Sequence, residues 1–247
     1  MTTVKSDALV SAVVTTYNRP RLVRRAIDSV LRQTYKNMEI IVVDDDPGSN
    51  LASWIEQRNI QNLTYLRHDT NLGLAAARNT GLRHARGKYI AYLDDDDEWI
   101  DEKIAQQVAL VQECDDTVQV VYCGALIVSP DGTMMGKNKP RLRGNIRDYI
   151  AEKGLYTIPS SCLFLRTALE QLGGHDQELT SHIDHDLWLS MAKANFRADY
   201  VDRFLVRQYH HQHYRMTADV DARLKATQVL CKKWYPDLAT WYGAKRA

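Results

Sequence analysis

The chain has 247 residues, 45% of them apolar, which is enough to fill the core of one large α/β domain. Thirty-two basic residues against thirty-one acidic leave a net charge of +1, so no global field attracts a polyanion and nucleic acid is not an expected partner. Cys114, Cys123, Cys162 and Cys231 form no C-x-x-C pair, which argues against zinc and a dense disulfide framework, and no run approaches the roughly eighteen apolar residues that span a bilayer. The expected setting is the cytoplasm, with the protein soluble or at most peripheral at the inner face of the membrane.

Leu9 to Thr16 is a short, uncharged, β-rich run, as expected of a strand buried on both faces of a parallel sheet. From Pro20, Leu22, Val23, Ala26, Ile27, Val30 and Leu31 recur at helical spacing, with Pro20 suited to the first turn. Glu39 to Val43 is a second strand that stops at Asp44-Asp45-Asp46-Pro47-Gly48. A helix over 51–58, a brief strand over 63–66, a helix over 74–85 and a strand over 88–93 continue the alternation, so the first hundred residues predict a doubly wound parallel sheet.

Beyond Asp97 the pattern loosens. It predicts a helix over 100–111, a strand over 118–122 and a hairpin turning at Asp131-Gly132. The basic segment from Gly136 to Gly144, with Lys137, Lys139, Arg141 and Arg143, reads as a solvated loop. A helix near Ile146, a strand over 162–165, a helix over 184–194, strands near Tyr200 and Val206, and a helix over 219–234 complete the series.

Ligands of open α/β sheets bind beyond the carboxyl ends of the strands. Three polar clusters fall there: Thr16-Tyr17-Asn18, Asp44-Asp45-Asp46, and Asp94 to Asp97. Aspartates are ordinary turn and cap formers, but four in a row repel one another unless a cation neutralises them. Hard carboxylate oxygens favour Mg²⁺ or Mn²⁺, whose open positions are commonly filled by water and substrate phosphates. Neither a P-loop nor a Gly-x-Gly-x-x-Gly follows the first strand, so carboxylates and metal must do most of the holding.

These motifs resemble those of the family 2 glycosyltransferases of the GT-A fold. The similarity runs in order through Val-Val-Thr-Thr-Tyr-Asn-Arg-Pro, Glu-Ile-Ile-Val-Val-Asp-Asp, Asn71 to Asn79, and Gly87 to Asp97, then through Leu172-Gly173-Gly174-His175-Asp176 and Ile183 to Leu189. The resemblance implies a mostly parallel sheet flanked by helices: a nucleotide-sugar half over 1–98, a smaller mixed acceptor-side and catalytic half over 99–218, and a C-terminal helical segment over 219–247. It also implies that Thr16, Tyr17, Asn18, Arg19 and Asn71 lie at the donor, with Thr16 and Tyr17 lining the nucleotide pocket. Asp45 is expected to accept a hydrogen bond from the ring nitrogen of the base, and Arg78 to approach the diphosphate or orient the acidic cluster. Asp94 and Asp95 fall near ribose and sugar, Asp96 is the expected metal ligand, and His211 is the choice among His210, His211 and His213 for a second contact with the metal.

Asp184 is the expected general base, with Ile183 where the family often has Glu. The implied reaction is an inverting transfer from a nucleotide-diphosphate sugar, UDP favoured, to a hydroxyl of a glycan or lipid-linked saccharide. Two other readings stay in view: a sugar-phosphate nucleotidyltransferase, which needs a Gly-rich phosphate loop after the first strand, and a non-catalytic nucleotide- or carbohydrate-binding module. Trp188 reads as core, Trp99 as a more open aromatic, and Asp97 as a cap of the following helix.

Overall fold

Valine and isoleucine dominate β1 (Val10–Thr16) and β2 (Met38–Asp44), and only Met38 among these residues is not buried, because helices cover both faces of the sheet. The structure, a computed structural model, describes residues 7–114, 117–153, 158–210 and 220–243. Between and after these strands come α1 (Pro20–Leu31), α2 (Leu51–Arg58), β3 (Leu63–Arg67), α3 (Leu74–His84) and β4 (Tyr89–Asp94). β1 runs parallel to both β2 and β4, and β2 runs parallel to β3. The chain thus travels outward from β1 to β3 and returns to the other side of β1, which puts a topological switch point between β1 and β4. Register places Thr16 opposite Asp44 and Thr15 opposite Asp94, so three polar strand ends share one rim.

The two-residue period of the strands sorts the core into layers. Val10, Ala12, Val14, Ile40 and Val42 pack with α1 and α2, while Val13, Ile41 and Val43 face the opposite layer, which includes α3. Each of these valines and isoleucines contributes roughly 1.5–3 kcal/mol when fully buried.

The second half extends the same sheet. It comprises β5 (Asp97–Trp99), α4 (Lys103–Glu113), β6 (Val118–Val128), β7 (Met134–Asn138), β8 (Gly144–Asn145), α5 (Ile146–Lys153), a 3-10 turn (Pro159–Ser161), β9 (Cys162–Leu165), α6 (Arg166–Gln171), α7 (Ile183–Lys193), β10 (Arg197–Tyr209) and α8 (Val220–Tyr242). The order is β3-β2-β1-β4-β9-β6-β10-β5, with β7 on β6 and β8 on β10. β9 is antiparallel to β4 and β6, whereas β6 and β10 are parallel, so this half is mixed.

Three expectations need correction here. The Gly136–Gly144 segment is not wholly loop: its first residues belong to β7, paired with β6 across the turn where Gly132 takes φ 87°, and Gly144 opens β8. The two strands expected near Tyr200 and Val206 are one strand, β10, whose register on β6 shifts between Val201 and Phe204 and again before Val206. The last helix continues past Trp234 to Tyr242 despite Pro236, because α7 and its approach anchor it: Lys233 Nζ lies 2.6 Å from Asp176 and 2.8 Å from Asp186, and Lys193 pairs with Asp237 at 2.9 Å. Among the described residues no helix is long and apolar enough to cross a membrane.

Candidate active site

The site begins with a close approach of α3 to β1. A Cβ at Gly81 would fall 2.2 Å from Val13 Cγ1, so glycine there lets the helix lie against the strand. That position carries Arg78, which is 0% exposed, into the rim. Its guanidinium forks, Nη1 donating to Asp184 Oδ1 at 2.6 Å and Nη2 to Asp94 Oδ1 at 2.8 Å. Burial lowers the Arg78 pKa, but Asp184 and Asp94 outweigh burial and raise it, so the group stays charged.

The next residue, Asn79, clamps the Gly-Gly-His turn: its Nδ2 donates to His175 O at 2.8 Å, and its Oδ1 accepts from His175 N at 2.8 Å. Gly174, at φ 80°, is needed there because a Cβ would sit 2.4 Å from Asn79 Oδ1.

The acidic turn after β4 is short of positive charge. Thr16 Oγ1 donates to Asp95 Oδ2 at 2.8 Å, and Arg19 Nη1 lies 3.0 Å from both Asp95 Oδ1 and Asp96 Oδ2. Burial nevertheless pushes the Asp95 carboxyl up to about 7, against the pull of Arg19 and with repulsion from Asp96 adding to it. Asp97 is driven well above the usual carboxylate range by burial, then by Asp96 and Asp94. Asp94 and Asp96 keep partly exposed side chains. Among the described residues no three His, Cys, Asp or Glu side chains gather as a metal cage. This donor set fits a hard divalent ion held by one or two carboxylates and completed by phosphate and water.

Asp44 and Asp45 behave differently. Asp45 Oδ1 accepts from Leu72 N at 2.8 Å and lies 2.7 Å from His68 Nδ1, while Oδ2 accepts from Gly73 N at 2.8 Å. Its carboxylate therefore fixes the turn that starts α3, with Gly73 N the one donor to Oδ2 among the described residues. Asp44 takes Tyr65 Oη at 2.9 Å and Asp46 N at 3.1 Å.

This arrangement on this sheet has relatives. Residues 11–173 match the family model described as glycosyl transferase family 2. The chain belongs to this family. Among curated relatives, Escherichia coli WfgD, named a UDP-Glc:alpha-D-GlcNAc-diphosphoundecaprenol beta-1,3-glucosyltransferase, is 29% identical over 189 residues, covering 76% of this chain and 72% of WfgD. Two solved structures share the fold. S. aureus TarS 1-349 in complex with UDP-GlcNAc has TM-score 0.71 at 20% identity, covering 90% of this chain and 66% of that one. The mannosyltransferase PcManGT from Pyrobaculum calidifontis in complex with GDP-Man and Mn²⁺ has TM-score 0.69 at 22% identity, covering 96% and 68%. Other curated relatives are longer, the chain spanning 59% of one and 40% of another.

In this family 2 member the contacts above make two groups, Thr16 and Arg19 with Asp95 and Asp96, and Arg78 with Asp94 and Asp184, which meet where Asp94 and Asp95 are neighbours in the chain. Tyr17 is 49% exposed, and Asn18 turns the chain at φ 52°. Asn71 is exposed at the start of the turn held by Asp45. His211 and His213 lie outside the described residues, and His210 ends the strand run with its backbone N donating to Val128 O at 2.7 Å. Ile183 packs with Ala75 and Leu179, so an apolar contact to α3 replaces the family's frequent carboxylate.

Trp188 is buried core as expected. Trp99 is also fully buried, not open, its indole N–H donating to Ser160 O at 2.8 Å. Asp97 lies in β5 rather than capping α4, whose N-cap is Glu102. Sequence reasoning gave no role to two further residues of the turn. Ser160 Oγ accepts from Asp94 N at 3.2 Å and bonds Asp97, and Arg25 donates to Asp96 O at 2.9 Å while stacking 3.6 Å over Tyr209. Asp94 lies sixty-six residues from Ser160 in the chain, beyond any local pattern.

Proposed function

We propose that the chain is an inverting glycosyltransferase that moves a sugar from a nucleotide-diphosphate donor to a hydroxyl of a glycan or lipid-linked saccharide. The observation that carries this reading is the Arg78 fork, which ties Asp94 of the acidic turn to Asp184 on α7 across the switch point. Asp184 is the general base, removing the acceptor proton as that oxygen attacks the anomeric carbon. Its carboxylate is partly exposed, and no side-chain hydrogen bond caps α7, so Asp184 is spent on Arg78 and the cleft rather than on the helix end.

Asp96 would hold Mg²⁺ or Mn²⁺, an ion that would supply charge compensation for the departing diphosphate. Thr16 and Tyr17 border the nucleotide, Asn18 and Asn71 shape the turns around it, and Asp95 faces the ribose and sugar. Single displacement inverts the anomeric centre and needs no covalent enzyme intermediate.

UDP is the favoured nucleotide because WfgD is named for UDP-Glc and TarS is complexed with UDP-GlcNAc; PcManGT, with GDP-Man and Mn²⁺, makes GDP the alternative and supports the metal. The acceptor named for WfgD supports a lipid-linked saccharide.

The test is a panel of nucleotide sugars with Mn²⁺, read as nucleoside diphosphate release on addition of acceptor. One donor is expected to turn over. Asp184→Asn should bind it normally yet transfer about 10³-fold more slowly; normal transfer by that variant would remove Asp184 from the chemistry.

A further inference from the structure

Three parallel strands, β1, β2 and β3, end side by side on the rim, and they bring Thr16, Asp45 and His68 there in turn. Asp45 N donates to Thr16 O at 2.9 Å, and His68 N donates to Asp44 O at 2.9 Å. The imidazole then reaches in two directions. Its Nδ1 lies 2.7 Å from Asp45 Oδ1 and its Nε2 lies 3.0 Å from Thr80 Oγ1 on α3, with ring and carboxylate both almost wholly buried. The hydrogen-bond network assigns the two nitrogens. Arg83 Nη2 donates to Thr80 Oγ1 at 2.8 Å, and a guanidinium has no acceptor to offer in return. Thr80 passes its own proton on to His68 Nε2, the acceptor within its reach among the described residues. The ring proton therefore sits on Nδ1 and is donated to Asp45, which takes the Leu72 amide on the same oxygen and the Gly73 amide on the other.

We propose that His68 is a positioning residue for the donor: the hydrogen bonds running from Arg83 through Thr80 and His68 to Asp45 set the turn over 71–73 against the end of β1, where Thr16 and Tyr17 border the nucleotide. This rests on the reading of that rim as the nucleotide-sugar site. An imidazole suits the position because it donates and accepts at opposite sides of one rigid ring, so a partner that fixes one nitrogen also aims the other. The effect is local to the start of α3. The turn over 71–73, which carries Asn71 and the exposed Leu72, is held by Asp45, whereas Arg78 has anchors of its own further along the helix, in the close approach of Gly81 to Val13 and in the Asn79 clamp. His68 touches no reacting atom, and its influence falls on donor affinity and not on the chemical step.

The test compares UDP affinity by calorimetry with the donor KM and the kcat of transfer. His68→Ala should bind UDP about tenfold more weakly than wild type, the size of one hydrogen bond to a charged group, and raise the donor KM by a like factor with kcat within about twofold. His68→Asn, whose amide nitrogen falls where Nδ1 does, should recover binding to within about threefold of wild type, and His68→Gln, whose amide falls where Nε2 does, should stay near the alanine value. Each of these two variants keeps one contact of the ring and loses the other, so the difference between them is free of a general loss of stability, and their melting curves should coincide. Thr80→Val, which keeps the shape and removes the relaying hydroxyl, should weaken UDP about threefold. If His68→Gln binds UDP as well as His68→Asn, or if kcat falls while affinity holds, His68 does not position the donor and the nucleotide site stands. If wild type binds neither UDP nor GDP, the donor reading fails and takes this role with it.

Discussion

Two acidic turns leave the same rim of the sheet, one after β2 and one after β4, and they are satisfied by different means. Asp44 and Asp45 are held from within the fold, by Tyr65, His68 and the backbone amides of Asp46, Leu72 and Gly73. Asp94 to Asp97 depend chiefly on arginine side chains and on Thr16 and Ser160, and the Asp95 carboxyl still sits near 7. Backbone amides cannot be exchanged for a ligand without unfolding the turn, whereas side-chain donors can rearrange around one. The partners of the two runs therefore differ in kind: amide donors hold the architectural turn, and side-chain donors hold the turn proposed to bind the nucleotide sugar.

Substitutions that remove the partners separate the two cases. The largest effect is expected for Arg78→Leu, which strips both Asp94 and Asp184 of their shared cation: urea unfolding should show a loss of about 3–5 kcal/mol, and transfer should vanish. Asp96→Ala should leave the unfolding midpoint nearly unchanged while transfer falls on the order of 10³-fold, a loss of about 4 kcal/mol in the barrier. An equal loss of stability in Asp96→Ala would erase the distinction between the turns.

Behind the binding turn, Lys103 gives a pH test. It is fully buried, its Nζ 2.8 Å from Gln107 Oε1, and Gln107 in turn donates to Ser161 O at 2.8 Å. Burial lowers the Lys103 pKa to about 8. Below that value the lysine is charged whether folded or unfolded, and the fold bears the full cost. Between 8 and the ordinary lysine value of 10.5 the unfolded chain binds the extra proton, so stability rises with pH. Wild type should gain up to about 3 kcal/mol on Lys103→Met across that window, measured by denaturation at each pH. A parallel pH profile for the two proteins would refute the buried charge. The smallest effect belongs to the architectural turn: Asp45→Ala orphans two amides and should cost about 2 kcal/mol of stability, with Mn²⁺ binding retained.

Much of the first half was legible because its strands are uninterrupted apolar runs and its helices repeat at 3.6 residues. The polar rim followed from the parallel alternation. The partners of Asp45 were not legible, since they include amides twenty-seven and twenty-eight residues away. Trp99 and Asp97 misled for a related reason: β5 is only three residues long and is defined by pairing with Val206 to Gln208 on β10. A strand that short has no period of its own. β10 looked like two strands because the polar pair Asp202-Arg203 interrupts it where its register on β6 slips.

The guanidinium of Arg78 acts as a fixed-width coupling between residues 94 and 184 of the chain. Because α3 lies close against β1 at Gly81 and Val13, that coupling is anchored to the sheet, and it joins the end of β4 to the first turn of α7. On the proposed reading, loops on the acceptor side can then be lengthened, shortened or exchanged without altering how far the proposed base, Asp184, stands from the acidic turn. Acceptor choice and catalytic reach would then be separately adjustable, giving a fold of this kind freedom to change what it decorates while keeping how it does so.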